Sequence, residues 1–383
     1  MNPSFDNSMQ QILEQRKVAS LYRSLQVNEG LIDFCSNDYL SFARSEQLKK
    51  KIKSYVDKLN PLTGSTGSRS ISGNSDFAEQ LENLIAGFHH AEAGLIFNSG
   101  YDANLGLFSC IAQKKDTIIC DELIHASVID GCRLNYAGRF RFAHNNIEDL
   151  EDKLHRSRGN IFVAVESVYS MDGDTAPLKE ITAVCKKYHA NLIVDEAHAT
   201  GIFGKNGRGL VSQHGLEGDV FARVHTFGKA LGCHGAIVLG SDTLRSYLLN
   251  FARSFIFTTA LPVPSLVAVK CAYEMLMAED FHNDYLHQLV DEFQADFRSD
   301  DDSYVIKSCS PIQCVVIPGN ERVRQVSKRL QAKGFDVRAI VSPSVPAGKE
   351  RLRISLHAHN TPEEIGQLKH ALGEILFRQP VKD

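Results

Sequence analysis

An aspartate and a lysine that each follow a short apolar segment are the residues best suited to chemistry. Asp195 directly follows the segment 192–194, and Lys229 follows the segment 224–226 in a loop of small residues. A lysine shielded from water has a lowered pKa and becomes a candidate Schiff-base nucleophile. A carboxylate on the neighbouring strand keeps the pyridine nitrogen of pyridoxal phosphate protonated. The pair therefore indicates pyridoxal phosphate chemistry, whereas either residue alone is more often structural.

Side chains at further strand ends could complete such a site. Gly100 and Tyr101 begin a predicted helix, where backbone N–H groups bind phosphate, although the same turn could be a plain helix cap. His125 could stack on a flat ring or serve as a core or capping residue, and Ser170 stands at another strand end. The histidine and cysteine spacings match no zinc pattern, so we expect no metal.

The sequence Asp-Glu-Ala-His at residues 195–198 also suggests an ATP-driven module. Such a module needs a glycine-rich phosphate loop that ends in Gly-Lys-Ser or Gly-Lys-Thr. The Gly-Lys pairs at residues 204–205 and 228–229 are followed by asparagine and alanine, so neither supplies that loop. A nucleotide-binding module remains the competing class, and transamination with the same pyridoxal phosphate cofactor is a third alternative.

Short apolar segments alternate with helical stretches between residues 76 and 240. Most of the segments lack the alternating polar residues of a half-exposed strand, which is typical of strands buried on both faces. The pattern predicts an α/β fold with a largely parallel sheet, whose ligands bind at the carboxyl ends of the strands. The predicted strands lie at residues 95–97, 117–120, 161–165, 192–194, 224–226 and 236–239.

The length of 383 residues exceeds one ordinary domain and predicts a division into three parts. Residues 1–45 form an N-terminal arm with a helix in the first 30 residues, and residues 46–275 form the large α/β domain. Residues 276–383 form a small α+β domain, with strands predicted at residues 314–317, 336–340 and 351–355.

Composition excludes several classes of protein. The net charge of −4 argues against nucleic acid as a partner. No apolar run approaches the roughly 20 residues of a membrane span, and the first residues carry no secretory signal pattern. Nine scattered cysteines without a CxxC pair are typical of reduced thiols in a cytosol, so a cytoplasmic location is expected.

Seven motifs occur in the order of a known family. They are SNDYL, GSTGSRSISGN, FNSGYDAN, DELIHAS, ESVYSMDGD, VDEAHATGIFGKNGRG and HTFGKALGCHGA. Together they resemble the α-oxoamine synthases, which are pyridoxal phosphate enzymes of fold type I, the aspartate aminotransferase fold. The resemblance extends from about residue 10 to residue 375. It implies a large, mostly parallel-sheet domain and a small α+β C-terminal domain.

The resemblance implies a role for each matching residue. Lys229 would carry the cofactor, Asp195 would partner the pyridine nitrogen, and His198 would contact the phenolic oxygen. His125 would stack on the ring, and with Lys229 and Asp195 it forms the implied catalytic set. Further cofactor contacts are implied at Gly100, Tyr101, Ser170 and Thr226, and from the second subunit of a homodimer at Thr258 and Thr259. Substrate contacts are implied at Asn37, Ser344, Arg353 for the amino acid carboxylate, and Arg23, with Tyr22 as the alternative to Arg23.

The implied reaction is a decarboxylative condensation of an amino acid with an acyl thioester of CoA or acyl carrier protein. Within the family, the stretch HTFGKALGCHGAIVLGS and the segment SVPAGKERLRIS most resemble the biotin-pathway member, which joins L-alanine to a pimeloyl thioester. Members that use glycine or serine are the alternatives. Val341 stands where some biotin-pathway members have an arginine that would suit a dicarboxylic acyl tail.

Overall fold

The computed structural model describes residues 3–25, 27, 30–279, 281–295, 297 and 303–377. Its helices are Pro3–Val18 (α1), Glu46–Leu59 (α2), Asp76–Phe88 (α3), Gly100–Cys110 (α4), Ala126–Arg133 (α5), Ile147–His155 (α6), Leu178–Lys187 (α7), Leu210–Gln213 (α8), Asp242–Phe251 (α9), Arg253–Ile256 (α10), Val263–Leu276 (α11), Asp284–Gln294 (α12), Asn320–Ala332 (α13) and Pro362–Phe377 (α14). Its strands are Ile32–Asp33 (β1), Ala93–Phe97 (β2), Thr117–Asp121 (β3), Gly138–Phe142 (β4), Ile161–Glu166 (β5), Asn191–Asp195 (β6), Ala222–Thr226 (β7), Ala236–Gly240 (β8), Tyr304–Val305 (β9), Ile312–Val316 (β10), Phe335–Asp336 (β11), Arg338–Ile340 (β12) and Arg351–Ser355 (β13).

A seven-stranded sheet in the order β2-β8-β7-β6-β5-β3-β4 forms the centre of the molecule. Only β8 runs antiparallel to its neighbours, β2 and β7. Successive residues of a strand enter two separate hydrophobic cores, as Ile96 and Phe97 do, so the sheet is covered on both faces. The α/β prediction is confirmed, and the carboxyl ends of β5, β6 and β7 meet at one edge of the sheet.

The strand β4 was not predicted from the sequence. It lies at the edge of the large sheet, and four of its five residues are exposed or half-buried. Its sequence GRFRF therefore lacks the apolar run by which the other strands were recognised.

A four-stranded antiparallel sheet in the order β12-β13-β10-β9 forms the second unit. The single strand predicted at residues 336–340 is wrong, because two strands occupy it. The first, β11, pairs in parallel with β1, whereas β12 pairs with β13. The chain changes partner at the fully buried Val337, and the alternation of apolar and charged residues continues through it, so the sequence conceals the break.

The N-terminal helix is shorter than the expectation for the first 30 residues. It ends at Val18, because Ser20 adopts a left-handed backbone with φ of 55° and Leu21 N–H closes the helix on the Arg16 carbonyl at 2.7 Å. Residues 26, 28 and 29 lie outside the described residues. No helix within the described ranges is long and apolar enough to cross a bilayer.

A buried carboxylate joins the segment 69–73 to the sheet. Glu82 on α3 is 1% exposed and binds Arg69 and Arg245, and it accepts a hydrogen bond from Ile96 N–H at 2.8 Å. Glu79 contacts the same two arginines, but its side chain is 42% exposed.

We expect Glu82→Gln to lower the free energy of unfolding by about 3 kcal/mol, since it removes the buried carboxylate that binds two half-buried guanidinium groups. Glu79→Gln serves as the matched control and should cost less than about 1 kcal/mol, because exposed pairs contribute little. Urea denaturation monitored by circular dichroism measures both values. Equal losses for the two variants would contradict the role assigned to Glu82.

Candidate active site

Lys229 lies in a tight loop directly after β7. The loop is closed by hydrogen bonds from Gly232 N–H to the Lys229 carbonyl at 2.9 Å and from Cys233 N–H to the Phe227 carbonyl at 2.8 Å. Gly232 has φ of 60°, and a Cβ there would lie 2.2 Å from Ala43 N, so only glycine allows the loop to pack on the chain. The packed loop holds the half-buried lysine at the sheet edge.

The lysine amine contacts a buried histidine. Lys229 Nζ lies 2.7 Å from His198 Nε2. Burial lowers the pKa of Lys229 to about 8, although Asp195 and Glu166 attract the charged form and act in the opposite direction. Burial also holds the pKa of His198 well below its ordinary value, so this imidazole is neutral.

A chain of hydrogen bonds leads from His198 to an arginine. His198 Nδ1 lies 2.8 Å from Tyr39 Oη, and Tyr39 donates to Asn37 Oδ1 at 3.0 Å. Since the tyrosine proton goes to Asn37, the hydrogen-bond network assigns the histidine proton to Nδ1 and leaves the Nε2 lone pair facing Lys229. Arg353 Nη2 donates to the same Asn37 oxygen at 3.0 Å.

Arg353 on β13 is held without an acidic partner. Its Nε donates to the Ser170 carbonyl at 2.7 Å and its Nη1 donates to Ser355 Oγ at 3.0 Å. Within the described ranges no carboxylate forms a salt bridge with it, in contrast to Arg351, which pairs with Asp172. A half-buried guanidinium that makes only neutral contacts can bind an incoming carboxylate.

A second network positions Asp195. Its Oδ2 accepts from Asn104 Nδ2 at 2.8 Å, and its Oδ1 accepts from Ala197 N–H at 2.9 Å. The same Asn104 nitrogen donates to Ser127 Oγ at 3.0 Å, and that hydroxyl lies 2.7 Å from His125 Nδ1. Asp195 and the exposed His125 are therefore joined through two buried side chains.

Two residues of these networks were missed by the sequence analysis. Asn104 is a buried amide inside α4, and Tyr39 is a fully buried phenol in the SNDYL motif. Asn104 stands on the apolar face of a helix, where an amide requires a specific partner, and this was the available signal. For Tyr39, the only signal in the sequence was its position in the SNDYL motif.

The start of α4 provides free amides near Thr226. Gly100 and Tyr101 occupy its first turn, where N–H groups have no intrahelical acceptor. A Cβ on Gly100 would stand 3.5 Å from Thr226 Oγ1. Asn98 Nδ2 donates to the Thr259 carbonyl at 2.8 Å, which brings the segment that contains Thr258 and Thr259 to this helix end.

Ser170, Arg23 and Ser344 have different surroundings. Ser170 acts through its backbone, because its N–H donates to Glu166 Oε2 at 3.2 Å and its carbonyl accepts from Arg353. Arg23 and Ser344 lie together along a groove of about 780 Å³, and Tyr22 lines it as well. Since both Arg23 and Tyr22 line the groove, the assignment of Arg23 as the substrate contact stays a prediction.

Glu166 at the end of β5 is a buried carboxyl group that the sequence analysis did not select. Burial and the neighbouring Asp195 raise its pKa to about 8, whereas the charge of Lys229 acts in the opposite direction. Its Oε2 accepts from the Ser170 N–H, and its Oε1 has no partner within the part of the chain that the structure describes.

Comparison with known proteins places this geometry in a family. The model of the aminotransferase class I and II family matches residues 29–372. The chain belongs to the aminotransferase class I and II family. This confirms the fold type implied by the motifs, and the relatives described next confirm the resemblance to the α-oxoamine synthases.

Similar members of the family carry specific names. An 8-amino-7-oxononanoate synthase of Emericella nidulans is 42% identical, and the match covers 97% of this chain and 96% of the relative. A solved 8-amino-7-oxononanoate synthase of Francisella tularensis has a TM-score of 0.78 at 30% identity, covering 90% and 98% of the two chains. A serine palmitoyltransferase of S. paucimobilis, solved with a PLP–myriocin aldimine, has a TM-score of 0.86 at 28% identity, covering 98% of each chain.

The lowered pKa of Lys229 predicts how an aldehyde attaches to this aminotransferase-family site. Only the unprotonated amine is nucleophilic, so the rate of pyridoxal phosphate attachment to the cofactor-free protein should rise with pH and level off with a midpoint near 8. Stopped-flow absorbance between pH 6.5 and 9.5 measures this rate. Lys229→Ala is the control and should show no attachment.

The charge of Asp195 raises the pKa of Lys229, so Asp195→Asn should shift the midpoint to lower pH. A midpoint near the ordinary lysine value of 10.5, or an upward shift in the variant, would contradict the assigned electrostatics.

Proposed function

We propose that the protein is a pyridoxal-phosphate-dependent acyltransferase that condenses L-alanine with a pimeloyl thioester, a step of biotin biosynthesis. The products are 8-amino-7-oxononanoate, carbon dioxide and the free thiol carrier, either CoA or acyl carrier protein. The observation that carries the proposal is the 42% identity, nearly end to end, with an 8-amino-7-oxononanoate synthase. The serine palmitoyltransferase neighbour supports the same chemistry with another amino acid.

The residues at the sheet edge fit pyridoxal phosphate. The first-turn amides of Gly100 and Tyr101 suit a phosphate group, and the absence of a side chain at Gly100 keeps space open beside Thr226. Asp195 presents a carboxylate held by two donors, and Lys229 presents an amine of lowered pKa. When bound, the cofactor supplies an electron sink that stabilises negative charge at the substrate α-carbon.

The chain supplies binding, orientation and proton transfer. Arg353 would bind the carboxylate of the amino acid, assisted by Asn37, which shares a hydrogen bond with it. Lys229 Nζ would remove the α-proton and hold it, because an amine with a pKa of about 8 can both accept and return a proton near neutral pH. His125 would lie on the ring face and orient it, anchored by Ser127.

Purified enzyme should release carbon dioxide and free CoA in equal amounts from L-alanine and pimeloyl-CoA. Lys229→Ala should lower kcat by at least about 1,000-fold, since the site then has neither nucleophile nor proton acceptor. Free thiol and carbon dioxide assays measure both products. Keto acid formation without carbon dioxide release would indicate transamination, and a preference for serine with palmitoyl-CoA would favour the serine palmitoyltransferase alternative.

Arg353→Ala should raise the KM for L-alanine by about 100-fold and change the KM for the thioester by less than about threefold, because only the amino acid carboxylate loses its partner. Arg353→Lys keeps the charge but not the planar guanidinium fork. Its KM for L-alanine should therefore lie between those of the wild-type enzyme and Arg353→Ala. Steady-state kinetics with each substrate varied separately tests this. Equal effects on both KM values would remove the assigned role.

We also propose a homodimer in which Thr258 and Thr259 serve the partner's site. Support comes from two adjoining segments, 67–73 and 257–260, joined by a bridge between Ser68 and Thr259. They expose Ile71 at 84% and Phe257 at 70%, an apolar surface that a second subunit could cover. Cytoplasmic location stays a prediction.

Light scattering coupled to size-exclusion chromatography should give the wild-type protein a molar mass of twice the 42.5 kDa of one chain. Ile71→Asp should shift the protein towards monomer and reduce activity, because a charge is then placed in an apolar contact. A monomeric, fully active wild-type enzyme would contradict the shared site.

A further inference from the structure

The groove that holds Arg23 and Ser344 has a strongly basic lining. It runs between residues 22–25 of the N-terminal arm and the surface of α13 and β12, with a volume of about 780 Å³. Four of its lining residues are basic, namely Arg23, Arg324, Lys328 and Arg338, and none of its described lining residues is acidic.

Three of these basic side chains lack a compensating carboxylate. Arg338 pairs with Asp336 at 2.8 Å, but Arg23, Arg324 and Lys328 form no salt bridge with any described residue. The Nε atom of Arg324 is buried and has no hydrogen-bond partner there. Buried donors are normally satisfied, so an uncompensated one in a cationic groove indicates a missing acceptor.

The groove adjoins the candidate active site through one short segment. Met171 lines the groove, and the preceding residue, Ser170, accepts the hydrogen bond from Arg353 Nε at 2.7 Å. Val341 and Ser344 line it as well. A molecule that occupies the groove can therefore extend from the basic surface of α13 to the site of the amino acid.

The wall of the groove is held rigidly. Ser327 Oγ donates to the Val337 carbonyl at 2.7 Å, and Gln331 Nε2 donates to the same carbonyl at 3.1 Å. These bonds attach α13 next to β12, so the positions on the helix that carry Arg324 and Lys328 are fixed relative to β12. A concave surface of one charge sign concentrates the field and attracts anions.

We propose that this groove binds an anionic oxygen group of the acyl thioester, with Arg324 and Lys328 as its main contacts. The inference rests on the proposed function and deepens it. Two parts of the substrate carry such a group: the terminal carboxylate of a dicarboxylic acyl chain and the phosphates of the thiol carrier. Arg324 and Lys328 thereby supply the positive charge that is absent at Val341.

The test compares the wild-type holoenzyme with the double variant Arg324→Gln/Lys328→Gln. The variant should raise the KM for pimeloyl-CoA by about 10-fold or more, as expected when charged contacts to a ligand are lost. Its affinity for L-alanine, measured from the visible spectrum, should stay unchanged. Arg329→Gln is the matched control, because Arg329 is exposed on the same helix and lies outside the groove.

Two further thioesters identify the group that is bound. If the groove holds the terminal carboxylate, the variant effect should vanish with the CoA thioester of pimelate monomethyl ester. If it holds the carrier phosphates, the effect should vanish with pimeloyl-pantetheine. A KM for pimeloyl-CoA that changes by less than twofold, or an equal increase in Arg329→Gln, overturns the proposal.

A binding measurement separates failure of the groove proposal from failure of the proposed reaction. If the wild-type holoenzyme turns over none of these thioesters, calorimetric titration with pimelate and with CoA still tests the groove. Binding of either anion by the wild-type protein, weakened about 10-fold or more in the double variant, supports an anion site. No binding of either anion by the wild-type protein overturns it.

Discussion

The enclosed amine of Lys229 next to the buried carboxylate of Asp195 is the interaction on which the rest of the site depends. Burial lowers the pKa of the lysine to about 8, and the carboxylate limits that shift. The parallel register of β6 and β7, in which Asp195 pairs with Val224, sets both residues at one edge of the sheet. The closed loop after β7 holds the backbone of Lys229 at this edge.

Two hydrogen-bond networks extend from this pair to different parts of the site. The network through His198 and Tyr39 reaches Arg353, which belongs to the small sheet, so it connects the amine to a guanidinium that has no acidic partner in the described chain. The network through Asn104 reaches His125 and remains within the large sheet and its helices. Lys229 and Asp195 are thus held by two separate hydrogen-bond networks.

Much of the fold was predictable because buried parallel strands produce continuous apolar segments. All six strands predicted in the large sheet are present, whereas the exposed edge strand β4 was missed. The site residues named from the motifs remain predictions, although the structure brings Lys229, His198 and Arg353 into one network. Asn104 and Tyr39 were not predicted, because the local sequence does not show which distant residue a side chain contacts in the fold.

The sequence by itself determined the α/β class, the family and the residue types at the strand ends, because these depend on local periodicity and on motif identity. Only the tertiary structure decided which charges are compensated. Arg351 has Asp172 as its partner, whereas Arg353, two residues later on the same strand, has none in the described chain. That difference arises from contacts between residues about 180 positions apart, which depend on packing and not on the spacing of residues along the chain.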